Sequence, residues 1–173
     1  MVNMLGQALP NRANTQVAGK MPINNKKQNL PSKAQLEQYL HNNAPKLIFA
    51  NKAQVKAYIA HISKMHNIKP ETLERIVAIE SQYCKFRFNK RTLDHGCAQI
   101  NVRTAQAYKW NVDSIRQNDA VNLYAAAILL KDLKKAKKRK MGPKWVCTYN
   151  IGFQDLPKTC DKYYSKFIAA NID

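Results

Sequence analysis

Between Pro70 and Glu80 the apolar side chains keep a helical period, and the slot where the next one belongs holds a carboxylate. Leu73, Ile76 and Val77 fall at i, i+3 and i+4 of one face, and the i+7 position of that stripe is Glu80. Seven residues make about two turns at roughly 3.6 residues per turn, so Glu80 sits nearly above Leu73 and faces the core side. Glu71 and Glu74 read differently: they fall at the start of the helix, where acids suit its dipole. Burial disfavours a charged carboxylate and raises its pKa. An acid still protonated near neutral pH is what protonation of a leaving glycosidic oxygen requires.

The same period governs most of the remaining chain. Ser32-Lys33-Ala34-Gln35 is a capping-box pattern that opens a short helix to about Asn42. Asn51 caps a second helix with Val55, Ile59, Ile62 and His66 on one stripe and Tyr58 and Met65 beside it. Pro70 suits the first position of the helix that carries Glu80. Residues 84–96 are polar and irregular, ending in Asp94-His95-Gly96, with room for a short β-ribbon near 84–100. Helical patterns resume over Thr104–Trp110, Asp119–Lys138, Pro143–Asn150 and Asp161–Ala170. The expected fold is mainly α, a compact bundle of six or seven short helices with a cleft, spanning 32–173. Residues 1–31 carry Arg12, Lys20, Lys26 and Lys27, no acid and no sustained period, and read as a basic irregular arm.

Lys and Arg number 29 against 11 Asp and Glu, a net charge of +18 that calls for an anionic partner. Nucleic acid, a membrane surface and a bacterial envelope all qualify. The densest run, Lys131–Lys140, has seven basic residues and one Asp but no interleaved aromatics, so nucleic acid is not expected. It reads instead as the solvated end of a helix whose buried side is Ile128, Leu129, Leu133 and Ala136. No apolar run approaches the ~18 residues of a membrane span. Residues 1–30 lack the apolar stretch of a secretory signal peptide, so an envelope-acting chain is expected to travel by a phage particle, a holin or a dedicated secretion machine. Cys84, Cys97, Cys147 and Cys160 match no zinc spacing. Small buried thiols are the first reading, and Cys84–Cys97 and Cys147–Cys160 disulfides are the alternative in an oxidising space. His41, His61 and His66 form no metal pattern, and His95 reads as a solvated loop residue. Neither a metal nor a cofactor is expected.

Three separated segments carry a resemblance: Ile79-Glu80-Ser81, then Gly96-Cys97-Ala98-Gln99-Ile100-Asn101 with Thr104-Ala105, then Tyr149-Asn150-Ile151-Gly152. In this order they resemble the soluble-lytic-transglycosylase domain, related to goose-type lysozyme. Pro70, Leu73, Asn122-Leu123, Ala126 and Tyr163-Tyr164 extend the similarity over about residues 55–170. Asp94 before the glycine and Asn101 after the isoleucine resemble the specialised members of phage particles and of secretion or conjugation systems. Cys97-Ala98 replaces a larger apolar pair in the family's pattern, and Ile151 replaces a small residue.

The resemblance implies a lysozyme-like helical fold and a peptidoglycan glycan strand as substrate. Glu80 would be the sole acid and base, cleaving the β-1,4 bond between N-acetylmuramic acid and N-acetylglucosamine and leaving a 1,6-anhydro end. Ser81 and Gln99 would position substrate, with Ile100, Asn101 and Asn150 beside them. Tyr149 would hydrogen-bond Glu80, and Gly96 would let the backbone approach the glycan. The setting it suggests is a virion-associated enzyme opening the host wall locally from the periplasm during entry, with residues 1–31 docking onto virion or secretion-machine proteins. Two other readings stand beside it. A muramidase would use Asp94 as a second carboxylate to activate water. A non-enzymatic basic virion or DNA-associated protein would keep only the shape.

Overall fold

The structure, a computed structural model, describes residues 30–151 and 157–172. The basic arm therefore lies outside the described residues except for its last two, as does Gly152 of the third motif.

Helix α1 (Lys33–His41) opens on Ser32, whose hydroxyl accepts from the Gln35 backbone while the Gln35 side chain accepts from that of Ser32. Helix α2 (Lys52–His66) starts from Asn51, whose Oδ1 accepts from Gln54 N at 3.0 Å. Helix α3 (Pro70–Ser81) has Pro70 at its entry, where no amide hydrogen is needed. All three starts lie where local cap chemistry puts them. Glu74 departs from its expected place at a solvated helix start. It is buried, bonded to Lys56 Nζ at 3.1 Å and accepting from Tyr83 Oη at 3.1 Å, and so ties α2 to α3.

A three-stranded antiparallel ribbon follows: β1 (Phe88–Asn89), β2 (Asp94–His95) and β3 (Ile100–Asn101), in that order, with Phe88 opposite His95 and Asp94 opposite Asn101. His95 is buried, not solvated: its ring stacks on Phe88 at 4.7 Å and meets Arg116 Nε at 3.2 Å. Burial and the Arg116 charge hold its pKa below the ordinary value. Helix α4 (Val102–Ala107) leads to α5 (Val112–Gln117), which sequence periodicity passes over because six residues show less than two turns of pattern.

Helix α6 (Asp119–Met141) is the centre of the molecule. From Asp119 to Ala127 every residue is buried, on all sides, because α1, α2, α3 and α5 pack around it. Its second half turns basic and leaves the core after Leu133; Ala136, expected inside, is exposed. A 3₁₀ segment (Gly142–Cys147) folds back on α6, then α7 (Thr148–Ile151) and α8 (Pro157–Ala169) close the chain against α3. Arg75 of α3 points Nη1 at the carbonyls of Phe167, Ile168 and Ala170, at 3.1, 2.7 and 2.7 Å, capping the end of α8.

The cysteines are not thiols. Cys84–Cys97 and Cys147–Cys160 are both disulfides, each spanning 13 residues. Spacing could not decide this, since it depends on which helices return to which. Loops of this size restrict the unfolded chain by about 3 kcal/mol each in the chain-entropy picture. No described helix is long and apolar enough to cross a membrane.

Candidate active site

Glu80 occupies the last turn of α3, where the apolar stripe runs out of cover. Leu73, Ile76 and Val77 are fully buried, whereas Glu80 is partly exposed and forms one wall of a cavity of about 550 Å³. Burial carries its carboxyl from 4.5 up to about 7. Two neighbours oppose that rise by favouring the charged form, a hydrogen bond from Tyr163 Oη at 2.8 Å and the ammonium of Lys166; the charge of Asp94 adds to it.

The tyrosine that holds Glu80 is thus Tyr163 on α8, not Tyr149. Tyr149 donates its hydroxyl to Ala98 O at 2.7 Å and lines the cavity from α7. It lies close enough for the Glu80 charge to help hold its phenol protonated, after burial, which does most. The exchange follows from topology: α7 faces the 96–101 turn, while α8 returns along α3. Tyr163 enters the sequence reading only as part of the wider resemblance, and nothing local in its segment points to Glu80.

The opposite wall is the 96–101 turn and the ribbon. Gln99, at φ +50°, lines the cavity and donates Nε2 to Gly96 O at 2.8 Å and Phe86 O at 3.2 Å. Ile100 and Asn101 line it too. Asn101 donates Nδ2 to Asp94 Oδ1 and Thr92 O, both at 2.7 Å, and Thr92 Oγ1 also donates to Asp94. Asp94 therefore stands on the same cavity as Glu80, held by two donors. Asn150 is exposed at the rim.

Two residues do other work than expected. Ser81 is buried behind the wall, donating to Val77 O and Cys97 O and accepting from Cys84 N, so its hydroxyl braces the end of α3 and does not line the cavity. Gly96 is buried as well, and the absence of a side chain there makes room for Asn122. At φ +77°, a Cβ there would lie 2.2 Å from Asn122 Nδ2. Asn122 donates Nδ2 to His95 O at 2.8 Å and Ile115 O at 3.2 Å and accepts from Ala98 N at 2.8 Å, pinning the turn to α6. A fully buried amide amid Ala120–Ala127 is the same kind of signal that singles out Glu80.

Two smaller cavities share walls with the first. One, about 250 Å³, shares Glu80 and Asn150 and adds Ile79, Thr159, Lys162, Tyr163 and Lys166. The other, about 260 Å³ and mostly apolar, shares Thr104, Leu129 and Tyr149. Together they make a groove with Glu80 along it. Each disulfide braces a pair of its walls: Cys84–Cys97 joins the end of α3 to the turn, and Cys147–Cys160 joins the approach to Tyr149 with the approach to Tyr163. Cys84, Cys97 and Asp119 come together, but the sulfurs are bonded to each other and Asp119 pairs with Arg87 at 3.0 Å, so the cluster is not a metal site.

The family model described as Transglycosylase SLT domain matches residues 57–172, a span that contains every groove wall named above. No curated protein and no solved structure matches the chain.

Proposed function

This chain belongs to the transglycosylase SLT family, and we propose that it cleaves the β-1,4 bond between N-acetylmuramic acid and N-acetylglucosamine with Glu80 as both acid and base. The observation that carries this reading is a groove-lining carboxyl brought to about 7 by burial. Such a group is largely protonated at mildly acidic pH and readily gives up its proton near neutrality. It protonates the glycosidic oxygen as the bond from that oxygen to the muramic C1 breaks. The muramic C6 hydroxyl then bonds to C1, and its proton returns to the Glu80 carboxylate. A 1,6-anhydro end forms, no water is consumed, and Glu80 finishes as it began.

Tyr163 orients the acid and steadies its anion. Gln99, Asn101 and Asn150 offer polar contacts along the groove, and Tyr149, fixed to Ala98, shapes it. The substrate's own acetamido group supports the cationic sugar, as in substrate-assisted glycosidases. The setting we propose is a phage particle acting on the host wall. The net charge of +18 suits an anionic envelope, and two disulfides suit an oxidising space outside the cytoplasm.

Asp94 on the same cavity supports a second reading, a hydrolase in which it activates water. Mass spectrometry of digested peptidoglycan separates the two. Anhydro ends from the wild type, with none from Glu80→Gln, are expected. Reducing ends abolished by Asp94→Asn would make the protein a hydrolase, and equal products from wild type and Glu80→Gln would end the assignment of Glu80.

A further inference from the structure

Exposed large apolar side chains are few among the described residues. Leu30, Ile48 and Ile168 stand apart from one another in the chain, but Phe86, Phe88 and Leu93 fall together in the first hairpin of the ribbon, at 53%, 53% and 51% exposure. Their placement follows from the residue between the two rings. Arg87 turns inward, its Nη2 on Asp119 Oδ2 at 3.0 Å and Phe49 O at 3.1 Å. The ladder reaches as far as Arg87, whose carbonyl accepts from Gly96 N at 2.8 Å. Alternate side chains of an extended chain take opposite faces, so Phe86 and Phe88 share the outer one. Phe88 stacks on His95 and is still more than half exposed. Leu93 ends the turn, donating its N–H to Asn89 O at 2.8 Å.

Cations surround these three. Lys85, Lys90 and Arg91 are exposed, and none forms an ion pair with a described carboxylate. Lys85 Nζ lies 5.5 Å from the centre of the Phe86 ring. Between Ser81 and Leu93 there is no acid, and the next one, Asp94, accepts from Thr92 and Asn101. The hairpin therefore offers apolar contact and positive charge side by side, as the boundary between headgroups and acyl chains of an anionic bilayer requires. Other occupants fit less well. A small molecule or a sugar favours a concave site, and none of these side chains lines any of the three cavities. A stable protein interface buries ~800 Å² on each partner, more than one hairpin tip presents. A bilayer needs no matching shape. We propose that residues 85–93 dock the protein on an anionic lipid surface. Thr92, in the same tip, lines the 550 Å³ cavity, so docking brings one end of the groove beside the bilayer. The proposal goes beyond the glycan reading and does not depend on it.

The test is flotation of the full chain with vesicles of phosphatidylglycerol and phosphatidylcholine in equal parts, and with phosphatidylcholine alone. Binding to the anionic vesicles that weakens with salt is expected, with little on the neutral ones. Lys90→Gln should lower it about fivefold, the scale of one cation at a charged membrane. Phe86→Ser combined with Leu93→Asn should lower it about tenfold by removing apolar contact. Asparagine suits the φ of 60° at Leu93, so the hairpin keeps its turn. Lys138→Gln, on the exposed basic end of α6, is the control and should leave binding nearly unchanged. The double variant should cleave soluble peptidoglycan strands as the wild type does. A wild type that stays off anionic vesicles would overturn the proposal. So would a loss in Lys138→Gln equal to that in Lys90→Gln with none in the double variant, which assigns binding to overall charge. A double variant that keeps vesicle binding but loses cleavage would also overturn it, by assigning the hairpin to the groove.

Discussion

Glu80→Gln should make the protein more stable while removing its activity, and the gain should depend on pH. Folding carries the Glu80 carboxyl from 4.5 to about 7. A group whose folded value is raised contributes its stability fully below the unfolded value and loses it as the pH rises through the folded one. At about 1.36 kcal/mol per pH unit the loss is about 3 kcal/mol, and nearer 2 if the partly open groove screens it. Glutamine carries no charge, and its Oε1 can still accept from Tyr163. At pH 4 the two proteins should unfold at nearly the same urea concentration. From pH 4.5 upward the variant should draw ahead, reaching a gain of about 2–3 kcal/mol by pH 8, or roughly 4–12 °C in Tm for a domain of this size. Urea titrations of both proteins at four pH values, with disulfides intact, give the curve. A difference that stays flat from pH 4 to 8, or a variant less stable than wild type at pH 8, would refute the claim that burial governs this carboxyl.

Two further outcomes follow from the same geometry. Tyr163→Phe removes a hydrogen bond that favours the charged acid, so the alkaline fall of kcat/KM should move to higher pH; Asp94→Asn removes a negative charge that opposes it, so the fall should move to lower pH. Measured as one pH series, shifts of the same sign in both variants would contradict the arrangement. Gly96→Ala should cost at least about 2 kcal/mol, read by urea titration, because its Cβ meets the Asn122 amide at a backbone angle that L residues resist.

What the sequence made legible was whatever is set within a few residues. The capping box at Ser32, the Asn51 cap and Pro70 fix three helix starts from local hydrogen bonding. The stripe of Leu73, Ile76 and Val77 puts Glu80 on the inward face because side-chain direction repeats every two turns. What stayed hidden was set by helices meeting far apart in the chain. Tyr163 reaches Glu80 across 83 residues. Asn122 reaches His95 across 27 and fixes the reason for Gly96. Glu74, by its position near the helix start, gave no sign that Lys56 and Tyr83 would enclose it.

The same division explains why the site needs its braces. Straight after α3, Gln82, Tyr83 and Cys84 take φ of 50°, 57° and 69°, and Gln99 on the facing wall takes 50°. Left-handed residues other than glycine cost on the order of 1–3 kcal/mol each and persist only where their surroundings over-determine them. Here the surroundings are the Cys84–Cys97 bond, the Ser81 hydroxyl bonded to Cys97 O and Cys84 N, and Asn122 holding Ala98. Ser81 and Gly96 therefore serve the site from behind its walls: they hold the two walls at the separation that lets Glu80 stay both buried and reachable. A carboxyl held near 7 depends on that separation. A wider groove hydrates the acid and returns it toward 4.5, and a narrower one shuts out the glycan.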